Sequence, residues 1–159
     1  WYSDNGINWT KATKNAGWPA RWDFASAVFN NKLWVIGGMD LMGKIYNDVW
    51  SSKDGIIWDL VNKNPPFASR QGFSIFDYEA MLWVVGRLNT PEYGKGANDV
   101  WYSDDGINWK KTEKDPLWPG REDAGAVVFN NKIWILGGMD KNWKWKNDIW
   151  YSTSNLDTK

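Results

Sequence analysis

The sequence predicts an all-β fold built from repeated four-stranded sheets, and three observations predict it. A phrase NNKLWVIGGMD at 30–40 returns as NNKIWILGGMD at 130–140 and as EAMLWVVGR at 79–87. A second phrase follows each copy: Asn47-Asp48-Val49-Trp50, Asn98-Asp99-Val100-Trp101 and Asn147-Asp148-Ile149-Trp150. A third, WYSDNGINW at 1–9, has counterparts WSSKDGIIW at 50–58 and WYSDDGINW at 101–109. Trp1, Trp50, Trp101 and Trp150 stand 49, 51 and 49 residues apart. Self-similarity at a fixed period marks a repeat architecture.

Each element has a local reason. Asn-Gly or Asp-Gly between aromatic-ended segments is a strong hairpin signal, because both residue types tolerate positive φ. Turns are therefore expected at Asn5-Gly6, Asp54-Gly55 and Asp105-Gly106. Polar connections carrying Pro follow at 11–20, 62–69 and 110–120, and each ends at an arginine: Arg21, Arg70 and Arg121. Short apolar segments come next at 24–30, 72–77 and 124–130, where Ala25, Ala27, Ser74, Gly125 and Ala126 are small enough for neighbouring sheets to approach closely. The Trp-Val-Ile runs after them lack a helical period and read as buried strands stopped by Gly-Gly or Gly-Arg. Variable loops at 39–46, 88–97 and 139–146 lead to the next Asn-Asp phrase. Each period thus holds four strands: a small-residue strand, a Trp-Val-Ile strand, one ending in Trp-Tyr-Ser and one starting at the post-hairpin Trp.

Composition excludes several functions. The 159 residues suffice for one domain with a real core. Nineteen basic and nineteen acidic side chains leave no net charge, unlike the basic face of a duplex-binding domain. No run of 18 apolar residues reads as a membrane helix. Neither nucleic acid nor a membrane is an expected partner. With no Cys and no His, the chain has no thiol nucleophile, no thiolate or imidazole metal ligand and no His-dependent triad. No metal and no cofactor are expected. Absent Cys does not locate the protein.

Trp is in excess, at fifteen residues, and the repeat explains twelve of them. Trp1, Trp50, Trp101 and Trp150 share one position; Trp9, Trp58 and Trp109 a second; Trp34, Trp83 and Trp134 a third. Trp18 and Trp118 form a fourth, with Phe67 between them, whereas Trp22, Trp143 and Trp145 have no repeat partners.

The series Arg21…Gly37-Gly38…Trp50…Trp58, Arg70…Gly86…Trp101…Trp109 and Arg121…Gly137-Gly138…Trp150 resembles the kelch repeat family, with 16 residues from Arg to the first Gly each time. Arg87 in place of the second Gly, and Trp where the family more often has Tyr, are departures. The resemblance spans essentially the whole chain and implies a kelch-type β-propeller, of the superfamily that includes the galactose-oxidase central domain and sialate mutarotases. The chain then reads as a single half-propeller of three blades, with repeats at approximately 1–50, 51–101 and 102–152 and a tail at 153–159. Propellers close with about four to eight blades. The first strand here would be outermost in a blade whose inner strands do not precede it, and the last blade lacks that same strand. A six-bladed ring of two copies is expected, a homodimer in which the N-terminal strand near 8–11 completes the partner's last blade. A piece of a longer single-chain ring is the rival reading.

The Ser-x-Asp/Asn-Gly-x-x-Trp hairpins at Ser3, Ser52 and Ser103 look like sialidase Asp-boxes one residue short, and a hairpin lock is the expected role. The Asn-Asp pairs are expected to satisfy local backbone groups. Arg21, Arg70 and Arg121 would ring the mouth of the central channel, on the face where the resemblance implies ligand binding. They would favour carboxylate or sulfate groups there; the competing reading pairs them internally with Asp23, Asp123 or a carbonyl. Candidate ligand contacts on this face are Trp18, Trp22, Trp118, Asp40, Asp140, Trp143 and Trp145, joined by Phe67, Met39, Tyr93 and Met139. Exposed aromatics beside Asp and Arg suit a glycan or a protein loop. The expected function is non-catalytic binding. A sialate-mutarotase-like isomerase, implied by the resemblance, would draw its acid and base from Asp40, Asp140 or Glu92, and a purely structural ring is a third reading. A galactose-oxidase copper site is ruled out, because it needs His and a Cys-linked Tyr.

Overall fold

The computed structural model describes residues 1–86 and 98–153, and every regular element among them is a strand. The first sheet is β1 (Ala25–Phe29), β2 (Lys32–Ile36), β3 (Val49–Ser52) and β4 (Asp59–Asn62), antiparallel in chain order. The second is β5 (Ser74–Tyr78), β6 (Met81–Val85), β7 (Val100–Ser103) and β8 (Lys110–Lys111) in the same order. The third joins β10 (Gly125–Phe129), β11 (Lys132–Asp140) and β12 (Trp145–Tyr151), and its fourth strand, β9 (Arg121–Glu122), pairs with the far end of β11. No strand lies outside β12 among the described residues, so the third sheet lacks the outer strand that β4 and β8 supply to the others.

The register repeats with the sequence. Ala25 faces Ile36, Ser74 faces Val85 and Gly125 faces Leu136. The tight β1–β2 and β10–β11 turns use Asn30-Asn31 and Asn130-Asn131 at positive φ, and β5–β6 uses Glu79-Ala80. Asn is at home in that left-handed region; Glu and Ala are less so. In the third sheet the strand does not stop at Gly-Gly as expected. β11 continues through Gly137-Gly138 with a shift of register there. A Cβ on Gly138 would lie 2.8 Å from the Glu122 carbonyl, so only glycine lets β9 close on β11.

Innermost strands β1 and β5 are neighbours, as are β5 and β10, so the sheets fan out from a common edge. Their faces make two cores. Between the first and second sheets lie Phe29, Trp34, Ile36 and Val49 against Ile75, Leu82 and Val84, with Phe67 and Trp109 closing the cluster. Between the second and third lie Phe76, Tyr78, Trp83, Val85 and Val100 against Ile135, with Trp118 in the place of Phe67. Among the described residues, the outward faces of the first and third sheets meet no further sheet. Phe129 is 60 % exposed although its equivalent Phe29 is 1 % exposed.

Candidate functional site

The three arginines stand where the connections enter the innermost strands, and each guanidinium turns inward. Arg21 donates from Nη1 to Asp48 Oδ1 at 2.5 Å and from Nη2 to Oδ2 at 3.1 Å, a bidentate fork. Its Nη1 also reaches the Gly37 carbonyl at 2.9 Å and its Nε the Pro19 carbonyl at 3.1 Å. Arg121 repeats the set on Asp148, Gly137 and Pro119. Arg70 donates to Asp99 at 3.3 Å and to the Ala68 carbonyl at 3.2 Å. The carboxylates accept further bonds from the indole N–H groups of Trp50, Trp101 and Trp150. Every Arg thus ties a connection, a Gly turn or an Asn-Asp phrase of its own repeat into one buried cluster. The internal partners are Asp48, Asp99 and Asp148, not Asp23 or Asp123. Hydrogen bonding to Arg121, then to Trp150, holds the Asp148 carboxyl well below the usual carboxylate range.

The Asn of the first two Asn-Asp pairs reaches far rather than locally. Asn47 donates to the Phe67 carbonyl at 3.1 Å, and Asn98 donates to the Pro116 carbonyl at 3.1 Å and to that of Trp118. These bonds seat the aromatic plugs. Phe67 meets Trp109 edge-on at 5.0 Å, and Trp18 meets Trp58 edge-on at 5.9 Å. Trp118 is buried in the second core. Trp118 therefore packs inside the fold, and Trp18 lies partly buried against Phe24 and Trp58. In the hairpins, Ser3, Ser52 and Ser103 accept from the Gly N–H three residues on, and Asn5, Asp54 and Asp105 accept from two further amides.

Two of the variable loops, 39–46 and 139–146, lie among the described residues. Trp22 bridges Met39 through the backbone and leaves its ring half exposed, while Met39 continues into Asp40. Asp40 accepts from the amides of Met42 and Lys44 and from the Tyr46 hydroxyl at 2.8 Å. Asp140 accepts from the amides of Asn142 and Lys144 and pairs with Lys146 Nζ at 2.7 Å. Both carboxyls are pulled down, Asp40 first by Tyr46 and Asp140 first by Lys146 to about 2. They hold their turns and stay ionised. Trp143, on the second loop, and Trp145, the first residue of β12, stand 70 % and 72 % exposed. Trp143 has φ +60°, where the first loop has Gly43 at +81°. Tyr93 and Glu92, like the rest of 87–97, lie outside the described residues.

An acidic group near the common edge was not foreseen from sequence. Glu122 titrates at about 6, raised by burial and then by Asp123 and Asp23. Asp23, Gly72 and Asp123 are equivalent residues at positive φ, linked in a chain: Gly72 N–H donates to the Asp23 carbonyl and Asp123 N–H to that of Gly72. The signal was present, since Glu122-Asp123 follows Arg121 where the other repeats have Trp22-Asp23 and Gln71-Gly72. The Arg–Asp pairs had a signal too: the interval is 27 residues in the first and third repeats.

Residues 120–151 match the family model of the kelch motif. This chain carries a kelch repeat. The matched segment holds Arg121, the Gly137-Gly138 bulge, Asp148 and Trp150, so the motif is the sequence of the Arg–Asp cluster and the strands it clamps. With three four-stranded antiparallel sheets, the kelch motif is consistent with a kelch-type propeller. The search of curated proteins found no match to the chain.

Proposed function

We propose that this kelch chain is a non-catalytic binding module that takes a glycan or a protein loop on its outer-end loops, with Trp143 and Trp145 as the contact rings. The observation that carries the reading is Trp143 at positive φ. A large side chain there costs about 1–2 kcal/mol of backbone strain relative to an ordinary conformation, and the equivalent position in the first loop is glycine. The ring itself stands mostly exposed. Strain of this kind collects at functional positions. Lys141 and Lys144 flank Trp143, so the loop offers flat aromatic area beside positive charge, suited to carboxylate-bearing or hydroxyl-rich ligands. Trp22, Asp40 and Asp140 complete the face, the carboxylates acting through the turns they hold. The arginines support it from below, their forks already engaged by carboxylates.

The described acid–base candidates, Asp40 and Asp140, do not favour a sugar isomerase. Asp40 and Asp140 are held ionised by their own loops, which makes them poor proton donors.

The test is a glycan array and a displayed-peptide selection, each run with the wild type and with a Trp143→Gly, Trp145→Ala variant. Binding by the wild type that disappears in the variant supports the reading. Binding that survives in the variant, or none in either format, overturns it.

A further inference from the structure

A cavity of about 360 Å³ opens between the second and third sheets. Its wall includes Trp83, Val85, Val100, Trp118, Ile135 and Trp150. One repeat earlier these residues are Trp34, Ile36, Val49, Phe67, Val84 and Trp101, and there the space is filled. Trp109 fills it: it belongs to the first core with five of the six, Trp101 packs against the same cluster, and Trp109 is only 8 % exposed. Trp109 arrives on the hairpin that leads into outer strand β8. Among the described residues the third sheet has no outer strand, and the second core has no indole at the position of Trp109. The socket is therefore shaped by the repeat for one particular residue type at one particular position.

The chain carries a further copy of that residue. Trp9 shares the repeat position of Trp58 and Trp109, and its indole N–H bonds the Gly6 carbonyl as theirs bond Gly55 and Gly106. It is preset for the socket, yet it stands 56 % exposed and is not among the socket's lining residues. Its hairpin is held by one bridge, Tyr2 to Thr10, with two backbone hydrogen bonds of 2.9 Å. That pairing has the register of Tyr102 with Lys110 and Ser51 with Asp59. Tyr151 on the open edge of β12 is the equivalent of Tyr2. Exchanging Tyr2 for Tyr151 of another molecule would conserve both backbone bonds and bury the indole as well.

We propose that the socket receives Trp9 of a second copy of this chain, whose Thr10–Lys11 segment adds to the free edge of β12 as the missing outer strand. The exchange is reciprocal under a two-fold axis, so each copy gives one Trp9 and receives one. It also brings together the two uncovered sheet faces, Phe129 and Ile149 on the third sheet and Val28 and Leu33 on the first. Exposed apolar area of this extent marks an interaction surface.

The test uses light scattering on a sizing column at micromolar concentration, with circular dichroism to check folding. The wild type is expected at twice 18.4 kDa. Trp9→Ala, which removes a side chain exposed in the single chain, is expected to keep its spectrum and weaken the dimer by at least about tenfold, as loss of a buried aromatic anchor does. A Thr10→Cys, Tyr151→Cys variant of this cysteine-free chain is expected to form a covalent dimer on oxidation, and Trp9→Ala in that background to suppress it. A monomeric wild type, a dimer indifferent to Trp9→Ala, or a cysteine pair that closes only within one chain would each overturn the proposal.

Discussion

Arg121 and Asp148 meet fork to fork, Nη1 to Oδ1 at 2.6 Å and Nη2 to Oδ2 at 3.1 Å, across 27 residues of chain. The same pair recurs as Arg21 with Asp48, where the guanidinium side chain is fully shielded from solvent. These pairs decide how the sheets hold their connections, and they set the first prediction.

Removing one partner leaves a buried charge uncompensated. Asp48→Asn should cost about 3–5 kcal/mol in urea unfolding, because Arg21 keeps its charge and loses its carboxylate. Asp148→Asn should cost less, since Asp148 is 42 % exposed and water screens the orphaned Arg121. The Asp148 carboxyl is depressed in the folded state, so its contribution is full above the unfolded carboxylate pKa and is lost as pH falls below it. Equal losses at the two sites would show that burial does not govern the pairs.

Trp143→Gly should raise stability. It removes the left-handed strain of a bulky residue, offset in part by the entropy that glycine adds to the unfolded chain. A net gain of about 0.5–1 kcal/mol is expected, read as a higher midpoint in urea. A loss of stability would mean that the ring packs usefully on its own fold.

Glu122→Gln should flatten the acid side of the stability profile. The Glu122 carboxyl is raised to about 6, so the folded protein holds this proton more tightly than the unfolded chain does. Its contribution is full below about 4.5 and is lost as pH rises through about 6. Because the group is only part-buried, solvent screening reduces the effect to about 1 kcal/mol or less. At pH 7 the Gln variant should be the more stable; an unchanged slope between pH 4.5 and 6 would assign the dependence to other groups.

Gly106→Ala tests the contact between hairpin and neighbouring sheet. A Cβ on Gly106 would sit 2.3 Å from the Trp34 ring, whereas one on Gly55, at nearly the same φ, would meet only the Leu33 methyl at 3.4 Å. Both changes should cost about 1 kcal/mol for positive φ, and Gly106→Ala a further 1–3 kcal/mol for overpacking. Equal costs would mean that the hairpin is not wedged over Trp34.

Much of this was legible in the residues. Asn5-Gly6 and Asp54-Gly55 gave turns, and Lys32–Ile36 and Met81–Val85 gave strands, because backbone conformation there follows from short-range sterics and side-chain bonding. The site was less legible. Arg21 reads identically whether its fork points to solvent or to Asp48, since direction depends on an acceptor 27 residues away. The Gly137-Gly138 pair reads as a strand end, and only the approach of β9 turns it into a bulge inside β11.

By itself the sequence determined the repeat, its four strands and the turns between them, all set by interactions within a few residues. Tertiary structure decided which copies of one letter are buried. Phe29 and Phe129, like Trp109 and Trp9, sit in equivalent local surroundings and differ in exposure from 1 % to 60 % and from 8 % to 56 %. The reason is that burial belongs to the pair of faces that meet. Phe29 and Trp109 have the next sheet against them, while Phe129 and Trp9 stand at the two open ends of the fan.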